Sequence, residues 1–289
     1  MDKLLFDKIM GQVSKPVRYM GNEYNMVEKN PGDVFIRFAF AFPDVYEVGM
    51  SHLGMKILYH MINERKDTYC ERVFAPWTDM EQKMRQEGIP LFSLETKTPV
   101  SEFDFVGFTL QYELSYTNIL NMLDLARIPL LAKDRDEGHP IIIVGGPCAY
   151  NAEPLADFID LVALGEGEEL ITELLDEYAE WKQSGQSRRD FLERAAQIPG
   201  IYVPGFYDVT YLEDGRIESV KPNTSAVKER VAKRIIKNIN EAYFPDKLIV
   251  PYMDIVHDRI MLELFRGCTR GCRFCQAGMI YRPIRERTP

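Results

Sequence analysis

The sequence predicts an α/β protein built on a doubly wound parallel sheet, because short apolar runs alternate with amphipathic helical stretches along residues 34–185. The run at 34–41 is nearly all apolar, as in a strand that is covered on both faces. The clearest run, Ile141-Ile-Ile-Val-Gly-Gly-Pro147, ends in glycines. Parallel sheets bind ligands at the carboxyl ends of their strands, so the loops at those ends are candidate sites.

The apolar runs predict strands at 34–41, 70–75, 104–110, 141–147 and 161–164, with a third or edge strand at 90–94. Between them, Ser51 is a suitable cap for a helix that carries Leu53 and Ile57 on one stripe. Further helices are predicted at 79–87, 115–127 and 165–182. Residues 1–33 precede the sheet as an extension with one helix.

Residues 186–255 form a predicted linker. Ser187 opens a helix, and Asp214-Gly215 between two alternating strands predicts a two-residue β-hairpin. A basic run follows, comprising Lys228, Arg230, Lys233, Arg234 and Lys237. We interpret it as a solvated face of an acidic protein, and contact with RNA or a phosphorylated substrate is the alternative.

Composition indicates a cytoplasmic enzyme of about two domains. The chain has 289 residues, a net charge of -9 and ordinary hydrophobic and charged fractions. The negative charge argues against broad nonspecific binding to nucleic acid, although it leaves room for a local basic patch. The start shows no signal peptide, and no apolar stretch is long enough to predict a membrane span.

Three cysteines near the end of the sequence carry the strongest chemical signal. Cys268, Cys272 and Cys275 have the spacing C-x3-C-x2-C, with Phe274 just before the third. Three thiolates in one loop make a sulfur-only metal site that can hold three irons of a [4Fe–4S] cluster and leave the fourth open. Residues 257–266 are predicted to form the strand that leads into this loop. Nearby arginines, including Arg266, would favour the ionised thiolates.

A structural zinc site is the main alternative. Zinc in such sites takes four protein ligands, and the other two cysteines, Cys70 and Cys148, lie more than a hundred residues upstream. His257 is the nearby histidine and is predicted to precede a strand. Disulfide scaffolds are small and cysteine-dense, whereas this chain has five cysteines in 289 residues. We therefore favour a cluster.

The cysteine spacing together with Phe274 resembles the radical S-adenosylmethionine (SAM) enzymes. The resemblance implies that the open iron binds SAM, that the reduced cluster cleaves it to a 5′-deoxyadenosyl radical, and that Phe274 lies beside the adenine. It also implies a reducing partner such as flavodoxin or ferredoxin. Residues 256–289 would then be the truncated start of a (β/α) barrel, so we expect the fragment alone to be inactive. The substrate cannot be named from these residues.

A second set of residues refines the resemblance. Gly145-Gly-Pro-Cys-Ala-Tyr-Asn-Ala-Glu-Pro154 and Gly165-Glu-Gly-Glu168 precede the cysteines by about a hundred residues. This order is similar to an uncharacterised bacterial subgroup of radical SAM proteins with an N-terminal cobalamin-binding-type domain. It implies a flavodoxin-like fold for residues 34–185. The implied cofactor-binding residues are Ser51, Gly145, Gly146, Gly165, Glu166 and Gly167.

One departure from that family leaves cobalamin open. Cobalamin domains with a histidine ligand carry D-x-H-x-x-G, but here Gly49 and Ser51 occupy the Asp and His positions, and His52 is displaced by one residue. We interpret His52 as packing at the start of its helix. With cobalamin, methyl transfer to an unactivated carbon is the leading reaction, and without it a rearrangement or group insertion. The non-enzymatic alternative is a zinc- or cluster-bearing module, with RNA as its partner.

Overall fold

A six-stranded, mostly parallel sheet forms the centre of the protein in the computed structural model, which describes residues 3–288. The strands are β1 (Ile36–Phe42), β2 (Thr68–Phe74), β3 (Phe105–Thr109), β4 (Ile141–Gly145), β5 (Leu161–Ala163) and β6 (Ile201–Tyr202). Their order is β2-β1-β3-β4-β5-β6. The first five are parallel and β6 runs antiparallel to β5, so the expected α/β architecture with a parallel core is confirmed.

Helices cover both faces of the sheet. They are α1 (Lys3–Met10), α2 (Tyr46–Gly49), α3 (Leu53–Glu64), α4 (Thr78–Glu87), α5 (Tyr116–Leu125), α6 (Gly167–Ser184), α7 (Arg188–Ala195) and α8 (Ala277–Ile280). Alternation along β1 separates two cores: Ala39 and Ala41 pack with α1, α4 and α5, whereas Phe38 and Phe40 pack with α3, α6 and α7. No helix within residues 3–288 is both long and apolar enough to cross a membrane.

Two further strand pairs lie outside the central sheet. Strands β7 (Tyr207–Tyr211) and β8 (Ile217–Pro222) form the predicted antiparallel hairpin. Its connection is longer than the two-residue turn predicted, because the Leu212 N–H donates to the Arg216 carbonyl and the Asp-Gly pair lies inside that loop. Strands β9 (Phe265–Arg266) and β10 (Arg285–Glu286) pair near the end of the described residues.

Three local predictions were wrong. Residues 90–94 make only an isolated bridge, Phe92 to Pro99, and their other backbone groups bond to loops and neighbouring elements. Helix α3 is capped by His52, whose Nδ1 accepts the Met55 N–H at 3.1 Å, and not by Ser51. Of the strand predicted at 257–266 only β9 forms, because a strand needs a neighbouring strand for its backbone hydrogen bonds and, among the described residues, 257–263 pair with none.

The predicted extension 1–33 is tied to the sheet by a buried ion cluster, apart from Met1 and Asp2, which lie outside the described residues. Arg72 on β2 is 1% exposed and pairs with Glu23 at 2.8 Å and with Glu95 at 2.7 Å. Burial alone would raise the pKa of Glu23, but the charge and hydrogen bonds of Arg72 outweigh it and hold that pKa below its ordinary value. The extension therefore supplies a counterion that the buried arginine needs.

We expect Glu23→Ala to lower the free energy of unfolding by about 3 kcal/mol, because it removes one partner of a buried charge. Urea denaturation followed by circular dichroism measures the change. Glu28→Ala, at an exposed position of the same extension, is the control and should stay within about 0.5 kcal/mol of the parent protein. Equal effects of the two substitutions would contradict this account of the cluster.

Candidate functional site

A cavity of about 480 Å³ opens where β3, β4 and β5 end. It continues between the sheet and the pair α3 and α6, where apolar side chains line it: Phe38, Phe40, Met55, Leu58, Ile143, Ala163 and Ile171. The mouth is polar and is covered by Lys233 of the linker and by residues of the C-terminal segment, 256–288, among them Glu263, Arg266 and Arg285. The volume is in the range of small-molecule sites, which are apolar inside with a few polar groups at defined positions.

Most of the residues predicted to bind a cofactor line this cavity. Gly145 and Gly146 border it at the end of β4, and Gly165, Glu166 and Gly167 border it at the start of α6. Ser51 is not among the lining residues. Its hydroxyl donates to the Glu47 carbonyl at 2.7 Å and accepts the His257 N–H at 3.0 Å. The structure thus brings five of these six residues together and gives Ser51 other contacts.

His52 lines the cavity but has a local structural task. Its Nδ1 atom caps α3, and its ring packs against Phe42 with 5.7 Å between centroids. Burial lowers the pKa of His52, and a hydrogen bond with Gln111 only partly offsets that shift. The imidazole is therefore neutral at physiological pH, and one nitrogen is occupied by the helix. This agrees with its interpretation as a residue that packs at the start of its helix.

The glycines at the mouth meet backbone atoms. A Cβ on Gly165 would lie 2.1 Å from the Arg234 carbonyl oxygen, and the residue has a φ of +107° that favours glycine. On either side of it, the Arg234 N–H donates to Leu164 at 2.8 Å and the Glu166 N–H donates to Arg234 at 3.1 Å. A Cβ on Gly146 would lie 2.8 Å from the Leu110 carbonyl oxygen. These contacts account for both glycines without a ligand.

Ion pairs join the start of α6 to the C-terminal segment. Arg285 lies 2.5 Å from Glu166, and Arg266 contacts Glu168 and lies 2.6 Å from Glu263. Burial raises the pKa of Glu263, but hydrogen bonds from Arg266 and Arg287 reverse this and leave it below its ordinary value. Arg266 therefore faces carboxylates, whereas the sequence interpretation placed it beside thiolates.

Sequence reasoning missed this network, although a signal for it exists. Residues 259–287 hold seven arginines against two glutamates in a protein of net charge -9, so this segment needs anionic contacts. The basic run behaves similarly. Lys233 donates to the carbonyls of Ile280 and Arg282, and Arg234 pairs with Glu169 and Glu173 at 2.6 Å each. Two of its five cations are therefore used inside the protein.

The cysteine loop lies beside the cavity mouth. The Cys268 N–H donates to the Tyr281 carbonyl at 2.9 Å, and α8 packs against the helical turn Pro147–Asn151 that follows β4. All five cysteines are free thiols; Cys272 is exposed, and the neighbouring Phe274 ring is 93% exposed. Phe274 does not line the cavity.

The donor set suits an iron–sulfur cluster better than zinc. Three free thiols on an eight-residue loop match the ligands that such clusters take. Within residues 3–288, no three His, Cys, Asp or Glu side chains converge as a metal site, so the three sulfurs share a loop without being gathered. Cys70 and Cys148, the other thiols, are buried on β2 and in the turn after β4.

Comparison with known proteins identifies the family. The family described as "Radical SAM proteins, N-terminal" matches residues 54–204, which is a little more than half of the chain. The chain therefore belongs to this radical SAM family. It is also similar to an uncharacterised protein of Methanocaldococcus jannaschii, with 24% identity over 254 residues that cover 86% of this chain. The match covers 43% of that relative, so the chain spans less than half of its length. No solved structure matches.

Gly165→Ala tests the close backbone contact between Gly165 and Arg234 at the cavity mouth. We expect it to lower the free energy of unfolding by about 1–2 kcal/mol for the left-handed backbone, and by a further ~1–3 kcal/mol for the clash with Arg234. Thermal unfolding followed by circular dichroism measures the loss.

The matched control is Gly185→Ala at the end of α6. Gly185 also has a positive φ, +70°, but a Cβ there would meet no atom within 4 Å. Only the backbone contribution should appear in this variant. If the two substitutions cost the same, the contact between Gly165 and Arg234 contributes nothing measurable to stability.

Proposed function

We propose that this chain is the N-terminal part of a radical SAM enzyme in which Cys268, Cys272 and Cys275 hold a [4Fe–4S] cluster. The observation that carries the proposal is the C-x3-C-x2-C loop, which follows the family-matched region and lies at the carboxyl ends of its strands. A cluster held by three cysteines leaves one iron for SAM. Family membership favours this reading of the loop over a zinc site.

The chemistry supplied by such a cluster, when bound, is the one-electron reduction that cleaves SAM. The chain's own residues would supply position and surroundings. Arg266 and Arg285 neutralise the carboxylates at the cavity mouth, and Tyr281 fixes the backbone at the first cysteine. The exposed ring of Phe274 is available to contact the adenine. A small electron-transfer protein would serve as the reductant.

Cobalamin dependence is the second candidate, and the cavity favours it. The parallel strands follow the order 2-1-3-4-5, which is that of flavodoxin-like sheets that bind their cofactors at the switch point between β1 and β3. The cavity opens where β3, β4 and β5 end, and its lining reaches this point through His52 after β1 and Gln111 after β3. Because His52 caps α3, a bound cobalamin would lack a histidine ligand from this loop. Methyl transfer would then be the leading reaction.

An RNA-binding module with a zinc loop receives less support. Lys233 and Arg234, in the middle of the basic run, are engaged in contacts within the protein. Iron content and cleavage of SAM would separate this module from the enzyme.

Cys272→Ala tests the cluster in the full-length protein. We expect the variant, after anaerobic reconstitution with iron and sulfide, to lose most of its iron and its cleavage of SAM to 5′-deoxyadenosine, because a thiolate ligand is missing. Iron and sulfide assays, electron paramagnetic resonance (EPR) spectroscopy and product chromatography measure these losses.

Cys148→Ala is the matched control, since it removes a buried thiol outside the loop. It should keep the iron content and spectrum of the parent. A purified protein that contains zinc and no iron would overturn the proposed function.

Leu58→Trp tests cobalamin in the cavity. The full-length protein should retain hydroxocobalamin through gel filtration, and the larger side chain should abolish retention because Leu58 lines the cavity. Leu114→Trp, at a position 82% exposed and outside the cavity, should leave retention unchanged. Absorbance of the eluted protein measures the bound cofactor. If the parent protein retains none, the search should turn to cobalamin-free radical chemistry.

A further inference from the structure

Two arginines of the C-terminal segment lie directly opposite each other in a strand pair. Arg266 on β9 and Arg285 on β10 are partners in the antiparallel register. Like charges placed opposite each other in such a pair are destabilising. Both side chains are also largely shielded from water, with 16% and 12% exposure. This pair therefore needs an anion close to both guanidinium groups.

Glu166 supplies that anion from the other part of the protein. Its Oε2 atom lies 2.5 Å from Arg285 Nη1, and its Oε1 atom lies 3.8 Å from Arg266 Nη1. The same Oε2 also accepts the Ile236 N–H at 2.5 Å. Glu166, the residue just before α6, thus contacts both strands and the linker. Arg266 has two nearer carboxylates, because it contacts Glu168, which is 9% exposed, and lies 2.6 Å from Glu263. Glu166 is therefore the close counterion of Arg285 and a more distant one of Arg266.

The position of this ion cluster bears on the cysteine loop. Arg266 is separated from Cys268 only by Gly267. This glycine has a φ of +105°, and a Cβ added to it would lie 2.6 Å from the Pro283 carbonyl oxygen. The Cys268 N–H bonds to Tyr281, four residues before Arg285. The chain between the two arginines therefore contains the whole loop, and the pairing of β9 with β10 holds its two ends together.

We propose that Glu166 is a positioning residue for the cysteine loop: it neutralises Arg285 where the loop ends, opposite Arg266, which Glu168 and Glu263 neutralise where the loop begins. Glu168 assists through Arg266. This inference rests on the proposed function, in which the cysteines hold a cluster. It assigns Glu166 to the attachment of the loop, whereas the sequence interpretation placed it among residues that bind a cofactor directly.

Glu166→Gln in the full-length protein tests the proposal. The amide keeps the shape but removes the charge, so Arg285 loses its close carboxylate while it still lies opposite Arg266, and the loop loosens. We expect the reconstituted cluster to lose iron to a chelator roughly 10–100-fold faster than in the parent, the range typical of residues that orient metal ligands. The EPR spectrum of the reduced cluster should also change.

Glu169→Gln is the matched control. Glu169 lies on the same helix but pairs with Arg234, outside the strand pair, and is 48% exposed. Its iron loss and spectrum should equal those of the parent. The double variant Glu166→Gln with Arg285→Gln distinguishes a charge effect from a weakened fold. It removes the unneutralised charge, so it should restore slow iron loss, whereas a weakened fold would not recover.

The outcomes separate the two proposals. If the parent takes up no iron, the proposed function fails. If the parent holds a cluster and Glu166→Gln loses iron at the parent's rate, the positioning role is wrong. It is equally wrong if the double variant loses iron as fast as Glu166→Gln, because neutralisation of the arginines is then not the cause.

Discussion

The neutralisation of arginines by the first carboxylates of α6 is the interaction on which the candidate site depends. Arg266 and Arg285 belong to a segment that is strongly basic, and Glu166 and Glu168 lie at the end of the sheet where β5 leads into α6. Removing one partner of an ion pair that is largely shielded from water leaves a charge unpaired and lowers the stability of the fold. These ion pairs therefore attach the C-terminal segment over the carboxyl ends of the strands.

This attachment gives the cavity its mouth. The apolar interior exists because β1 presents Phe38 and Phe40 to the α3 and α6 face while Gly107 and Ala163 leave space beside them. The sheet and its helices alone would leave that interior open at the strand ends. Arg234, bonded to both sides of Gly165, and the arginines that follow cover it. The cavity and the cysteine loop are consequently neighbours, and a ligand in one would lie close to chemistry at the other.

Sequence reasoning succeeded where the signal is local. Continuous apolar runs identified β1, β3, β4 and β5, and the serine before α7 is the cap that the sequence predicted, with a complete capping box. It failed where the structure of a segment depends on which other segment lies beside it. Residues 90–94 have the composition of a strand but no sheet edge to join, and His52 competes with Ser51 for the start of α3. Periodicity describes one segment at a time and contains no information about partners.

The sequence by itself indicated the family, since the spacing of three cysteines with Phe274 resembles radical SAM proteins and the family match over residues 54–204 agrees. That these cysteines hold a cluster stays a prediction. The sequence also determined the order of strands and helices, because apolar patterning is a property of each segment. Only the tertiary structure decided what Gly165 and Glu166 contact. Both have a cofactor-like sequence context. In the fold, however, Gly165 meets the Arg234 backbone, and Glu166 meets Arg266 and Arg285, which are at least a hundred residues away along the chain. Long-range charge pairing depends on which surfaces the folded chain brings together, and no local pattern records that.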